Sequence, residues 1–168
     1  MTPHHRALPA KEIGCGLLTV SDTRTEANDA SGLLIRTLLE DGGYPIHSYA
    51  IVADDPVGIR SAVTEAVERA DVRALVVTGG TGIAARDVTI ESLESLWTRE
   101  LPGFGEMFRA LSFADIGPTA LLSRATAGVI ATTFVAVLPG STAACRLAME
   151  RLIMPVLGHA VALIGAEV

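Results

Sequence analysis

The stretch Val76-Val77-Thr78-Gly79-Gly80-Thr81-Gly82, followed by Arg86-Asp87-Val88-Thr89, leaves this chain few folds to choose from. A β-branched apolar run that breaks into closely spaced glycines reads as a buried strand entering a tight turn. Glycine permits dihedrals and backbone approaches closed to other residues, so such a turn can point free N–H groups at a ligand. A helix starting just beyond adds partial positive charge, and the place suits an anion, above all a phosphate. Asp87 cannot serve there by attracting phosphate. It fits if it holds a divalent cation that phosphate oxygens also bind. The plainer reading, a strand-to-helix turn capped by Thr89, leaves the third glycine and the acid without a purpose.

Two familiar phosphate motifs are excluded or weakened. No Gly-Lys-Ser/Thr follows the glycines, so this is not a P-loop. Gly80, Gly82 and Ala85 fit G-x-G-x-x-A, but that dinucleotide fingerprint belongs in the first strand–helix turn, and here two strand–helix units come first.

Those units set the fold class. Ile13 to Val20 reads as a buried first strand, and Ser21-Asp22-Thr23-Arg24 as the polar loop at its end. Asp29 or Ser31 caps a helix carrying Leu34, Leu38, Ile35 and Leu39 at i, i+4, and Gly42-Gly43 ends it. Tyr44 to Val52 is a second strand, Pro56 to Ala70 a second helix, and Val72 to Thr78 the third strand. Thr89 to Trp97 keeps helical spacing, Pro102-Gly103 breaks it, and Glu106 to Phe113 restarts a short helix. Val129-Ile130 and Phe134 to Leu138 form two short strands around a tight turn at 131–133. Pro139-Gly140-Ser141 is a further strand-to-helix junction, with Ser141 as N-cap of a helix running toward Met154, where Pro155 ends or kinks it.

Strands alternating with helices imply right-handed βαβ units and an α/β fold. The expectation is a three-layer αβα sandwich around a mostly parallel sheet with a small antiparallel part. A chain of 168 residues, 49% hydrophobic, suffices for one buried domain, expected over 13–168 behind a flexible tail at 1–12 that holds His4 and His5. Mean hydropathy is +0.43, yet no uninterrupted apolar run reaches the roughly 18 residues a membrane span needs. A net charge of −6 argues against nucleic acid as a partner. Cys15 and Cys145 lack C-x-x-C spacing and read as buried thiols in a reducing cytoplasm.

In parallel sheets ligands bind beyond the carboxyl ends of the strands. Four polar junctions converge there: Ser21-Asp22, Asp54-Asp55, the Thr78–Asp87 loop and Pro139-Gly140-Ser141. Asp54 reads equally as the cap of the second helix or as a functional acid, and Asp22 equally as a turn residue. Asp54 and Asp87 reaching one phosphate would suit Mg2+, which takes few protein ligands beside phosphate oxygens. Arg86, Arg109 and Arg124 are candidate phosphate clamps that read equally as solvated charges, and Ser123 shares that ambiguity. The histidines, including His47 and His159, lack metal-ligand spacing.

Taken in order, several runs carry a resemblance. They are Thr19-Val20-Ser21-Asp22-Thr23-Arg24, Asp29-x-Ser31-Gly32, Thr78 to Gly82, Arg86 to Thr89, Pro102-Gly103-Phe104-Gly105-Glu106, Leu122-Ser123-Arg124 and Leu138 to Ser141. Over about residues 13 to 160 the chain resembles the molybdenum-cofactor biosynthesis family of the MoaB/MogA type. Leu111-Ser112-Phe113 with Ile116-Gly117, and Gly140 to Arg146, tilt it toward the MoaB branch.

The resemblance implies a homo-oligomer, trimer or hexamer, that binds molybdopterin. In active members it implies Mg2+- and ATP-dependent adenylylation of the pterin's terminal phosphate, with release of pyrophosphate. Asp54 and Asp87 match the family's two aspartates near Mg2+ and the reacting phosphates, and Gly79 to Gly82 its phosphate-binding loop. Ser21, Asp22, Thr78, Glu106, Ser123, Arg124, Pro139, Gly140 and Ser141 are expected around the same pocket. Relatives often carry a basic residue in the turn before the Leu-Pro-Gly strand, where this chain has Ala131-Thr132-Thr133. That departure keeps open a non-catalytic pterin-binding paralogue, a carrier or scaffold.

Overall fold

Side chains alternate across the central strands, and the alternation divides the interior into two cores. In β1 (Cys15–Val20), Cys15 and Leu17 face one side of the sheet, and Leu18 and Val20 the other. β3 (Ala74–Thr78) splits Ala74 and Val76 from Leu75 and Val77, and β6 (Thr133–Leu138) splits Phe134 and Ala136 from Val135 and Val137. Strands buried on both faces need apolar residues at every position, which is why these runs are continuous rather than alternating in polarity.

The computed structural model describes residues 7–166. Its six strands lie in the order β2-β1-β3-β6-β5-β4. β2 (Ile46–Val52), β1, β3 and β6 are parallel, whereas β5 (Thr126–Ile130) and β4 (Trp97–Glu100) extend the sheet antiparallel. α1 (Ala30–Asp41), α4 (Pro102–Ile116), α5 (Thr142–Ala148) and α6 (Met154–Gly165) cover one face. α2 (Pro56–Glu68) and α3 (Thr89–Leu93) cover the other. This is the expected αβα sandwich with its small antiparallel part.

Several local expectations need correction. Pro102 does not break a helix but opens α4 at its first turn, where a missing N–H costs nothing. The helix expected to reach Trp97 stops at Leu93, and after a 3-10 turn the chain becomes β4. Trp97 pairs opposite Ile130 and lies over Gly128, so cross-strand packing overrides the helical spacing. Pro155 neither ends nor breaks the last helix. A π-helical segment, Met149–Ile153, joins α5 to α6 and precedes the proline that lacks a donor.

The span Thr142–Gly165 has the length and composition of a membrane-crossing helix, 24 residues at mean hydropathy 1.6. Here its stripe Cys145, Ala148, Leu152, Leu157 and Val161 is packed into the core beside the sheet. Of the tail expected at 1–12, residues 1–6 with His4 and His5 lie outside the described residues. Within residues 7–12, Leu8 N–H donates to the Gly158 carbonyl at 3.0 Å, and Leu8 packs on the core.

Candidate functional site

From β1 the chain runs outward to β2 on one side and then crosses to β3 on the other, so the loops after β1 and β3 diverge. A crevice must open between such loops at the carboxyl ends of the strands. There the molecule holds a cavity of about 370 Å3. Ser21, Asp22 and Thr23 line it from the end of β1, Asp54 from β2, Gly79 to Gly82 with Arg86 and Asp87 from β3, Pro139 and Gly140 from β6, and Leu122 and Ser123 from the approach to β5.

The glycine loop is shaped by backbone demands that only glycine meets. Gly79 has φ +101° and Gly80 φ +62°. A Cβ on Gly79 would strike the Val20 carbonyl, and one on Gly80 would strike Thr89 Oγ1 and come within 2.8 Å of Asp54 Oδ1. Thr89 is not the N-cap of α3. It is fully buried, its hydroxyl donates to the Gly79 carbonyl at 2.9 Å, and its N–H donates to the Gly80 carbonyl at 3.0 Å. With carbonyls 79 and 80 held from behind, the N–H groups of Gly80, Thr81 and Gly82 donate to no protein acceptor among the described residues.

The acids are placed by their neighbours. Asp55, not Asp54, caps α2, accepting from Gly58 N–H at 2.7 Å. Asp54 is thereby released from a structural duty, and its own N–H donates to Asp22 Oδ1 at 3.0 Å, tying the loops after β1 and β2 together. Burial raises the Asp54 carboxyl above its ordinary range. The Asp22 charge pushes the same way, Arg86 opposes it, and Asp87 adds a further upward push. Asp87 closes its own loop, accepting from Ala84 N–H at 2.9 Å through Oδ2.

Other expected residues sit elsewhere. Thr78 lies beneath the floor, 1% exposed, its hydroxyl on the Pro139 carbonyl at 3.1 Å. Ser141 caps α5 by accepting from Ala144 N–H at 3.3 Å and, like exposed Glu106 on α4, is not among the lining residues. Arg109 donates to the Ser123 carbonyl, and Arg124 stands behind the wall bound to carbonyls 81 and 87. Arg86 is the guanidinium on the lining. Its position beside Asp87 was the available signal, but an arginine in a loop reads equally as solvated. Thr23, Val20 and Leu122 also line the cavity without a motif of their own.

Among the described residues no group of three or more His, Cys, Asp or Glu is arranged to hold a metal ion. Asp54 is raised first by burial and then by the neighbouring carboxylates, and that gathering of acids favours a cation. Two carboxylates are what Mg2+ takes when phosphates supply further oxygens. Donor N–H groups, an arginine and paired acids around one crevice can together hold a metal-bridged phosphate.

Residues 16–159 match the family model described as "Probable molybdopterin binding domain". Molybdenum cofactor biosynthesis protein B of Bacillus anthracis is 48% identical over 160 residues, covering 95% of this chain and 94% of the relative. A crystal structure of molybdenum cofactor biosynthesis protein B superposes with TM-score 0.91 at 46% identity, over 94% of this chain and 99% of that one. The tungsten cofactor synthesizing protein MoaB of Pyrococcus furiosus superposes with TM-score 0.83 at 38% identity, over 92% and 98%.

Proposed function

The chain belongs to the molybdopterin-binding domain family of molybdenum cofactor biosynthesis, and from that premise we propose that it is a molybdopterin adenylyltransferase. The observation that carries the reading is the meeting of unpaired N–H groups at Gly80 to Gly82 with the carboxylates of Asp54 and Asp87 in one crevice. A phosphate oxygen of molybdopterin attacks the α-phosphorus of ATP. The new P–O bond forms as the bond from that phosphorus to the α,β-bridging oxygen breaks, and pyrophosphate leaves with that oxygen. Asp54 and Asp87 are the residues that would hold Mg2+, which would supply charge neutralisation there. The protein's own part is positioning, through the glycine-loop donors, and charge balance, through Arg86.

Molybdopterin and ATP are the small-molecule partners of this reading. Buried thiols at Cys15 and Cys145 support a reducing, cytoplasmic setting. Exposed Met107, Phe113, Ile116, Leu121 and Leu122 support a homo-oligomer, trimer or hexamer.

The reason for a non-catalytic carrier weakens on geometry. The turn at 131–132 precedes β6, whereas Pro139 follows it, so the turn lies at the opposite end of the strand, about 20 Å away at roughly 3.3 Å per residue. A basic residue missing there says nothing of this cavity.

The test is pyrophosphate release from molybdopterin, ATP and Mg2+, with Asp87→Asn alongside. Wild type is expected to release it, and the variant to lose at least about a hundredfold in turnover while still binding the pterin. Equal turnover in the variant removes Asp87 from the chemistry. No release by wild type with pterin bound returns the carrier reading.

A further inference from the structure

An arginine that clamps phosphate presents its fork of N–H groups to the ligand. Arg124 does not. Its Nε donates to the Thr81 carbonyl at 3.0 Å and its Nη2 to the Asp87 carbonyl at 3.0 Å. Nη1 donates to Glu91 Oε1, and Nη2 donates again to Glu91 Oε2 at 3.3 Å. Four of the five donors a guanidinium owns are thus committed, and the residue is absent from the cavity lining.

What those four bonds join is specific. Thr81 sits near the start of the loop after β3, Asp87 at its end, and Glu91 on α3 just beyond. Arg124 arrives from a segment 37 residues away from Asp87, on the approach to β5. Gly79 N–H, where the loop leaves β3, is held by the Leu138 carbonyl of β6 at 3.0 Å; beyond it the remaining ties are local, Thr89 on carbonyls 79 and 80 and the two bonds between Ala84 and Asp87. Among the described residues, Arg124 is the side chain that fastens both ends of 81–87 to a different part of the sheet.

We propose that Arg124, with Glu91 as its counter-ion, is a positioning residue: it fixes the Asp87 carboxylate against the N–H groups of Gly80 to Gly82 without touching the ligand. The proposal deepens the adenylyltransferase reading and rests on it for its consequence on turnover, though not for the geometry. Glu91 is held below its ordinary range first of all by the hydrogen bonds from Arg124, so its carboxylate stays charged at neutral pH. Lysine at 124 could reach one carbonyl but lacks the planar fork that binds two.

The experiment compares wild type with Arg124→Gln, Arg124→Lys and Glu91→Gln by amide hydrogen exchange without ligands. Steady-state pyrophosphate release over a Mg2+ titration accompanies it. Arg124→Gln is expected to raise exchange at Ala84 and Asp87, the hydrogen-bonded amides of the loop, about tenfold while β3 stays protected, because charge-assisted bonds no longer oppose local opening. Its kcat falls about a hundredfold and its Mg2+ requirement rises, with KM for ATP within about threefold, since misplacement by an ångström costs that much. Arg124→Lys recovers part of both. Glu91→Gln shows the same pattern more weakly, although Glu91 is not on the cavity, and it carries the test if Arg124→Gln fails to fold.

A KM increase for ATP with unchanged loop exchange overturns the proposal and makes Arg124 a phosphate ligand. If wild type releases no pyrophosphate, the adenylyltransferase reading fails by itself. Loop exchange then decides the proposal alone, a rise in both variants upholding it and no change overturning it.

Discussion

Two strand-to-helix junctions face the same cavity, and they are built to opposite ends. After β3, the carbonyls of Gly79, Gly80, Thr81 and Asp87 are all engaged from behind by Thr89 and Arg124, and the N–H groups of residues 80 to 82 are left open. After β6 the carbonyls are engaged too. Pro139 O accepts from Thr78 Oγ1 and from Cys145 Sγ, and Gly140 O accepts from Ser31 Oγ at 2.8 Å. There, however, proline has no N–H to offer, and Ser141 already takes the Ala144 N–H of the helix start. Gly140 and Ser141 N–H donate to no acceptor among the described residues either. What separates the junctions is that the first brings the carboxylate of Asp87 and the guanidinium of Arg86 to the cavity beside its donors, and the second brings no charged side chain. Similar sequence signals, glycine next to a helix start, therefore give a charged junction in one place and an uncharged one in the other.

The sharpest way to break the contrast is Gly79→Ala. A side chain at φ +101° would meet the Val20 carbonyl, and neither backbone can retreat. We expect a loss of about 3 kcal/mol, roughly 10 °C in melting temperature, with phosphate-ligand binding lost as well. A calorimetric scan with and without ATP measures both. Retained binding would show that the loop keeps its shape without the left-handed residue.

Ser31→Ala probes the junction after β6. It removes the donor to Gly140 O from a site 8% exposed, at an expected cost of about 1 kcal/mol and 2–4 °C, with the Mg2+ dependence of turnover unchanged. A changed Mg2+ dependence would mean that the second junction also shapes the metal site.

Asp22→Asn gives the smallest effect. Asparagine keeps an oxygen to accept the Asp54 N–H but removes the charge that helps raise the Asp54 carboxyl. A raised carboxyl pKa means that the folded protein binds the extra proton in the window between the unfolded and folded values, so stability falls as pH rises through it. Metal binding needs the deprotonated form. The acid limb of turnover should therefore lie above the ordinary carboxylate range in wild type and move down in Asp22→Asn. An unmoved limb would assign it to another group.

Much of this was legible from residues alone. The βαβ alternation, the loop after β3, Ser141 as a cap, and the convergence of four junctions all follow from local pattern, whereas between Asp29 and Ser31 only the structure shows that Asp29 caps α1. Two of the failures share a cause, a partner away from the residue's own turn of chain, and a third turned on local backbone. Thr89 reads as a cap because hydroxyls favour helix starts, but its partner is a carbonyl ten residues back. Arg124 reads as a phosphate clamp because its fork suits anions, but carbonyls 81 and 87 occupy it. Asp54 and Asp55 are adjacent and alike, and only the backbone turn into α2 decides which of them caps.

The two cysteines stand at opposite poles of the sheet, and each is sealed. Cys15 begins β1, far from the crevice, where burial pushes its thiol up to about 12, while Cys145 lies directly beneath the wall after β6, its thiol raised by burial too. A thiol held protonated and out of reach of solvent reacts with an alkylating reagent only when its surroundings open. The molecule therefore carries two internal clocks, one for each end of its strands. If Cys145 is modified faster than Cys15, and ATP slows the first alone, the ligand end breathes independently of the rest. Equal rates would mean that the whole sheet opens as one body.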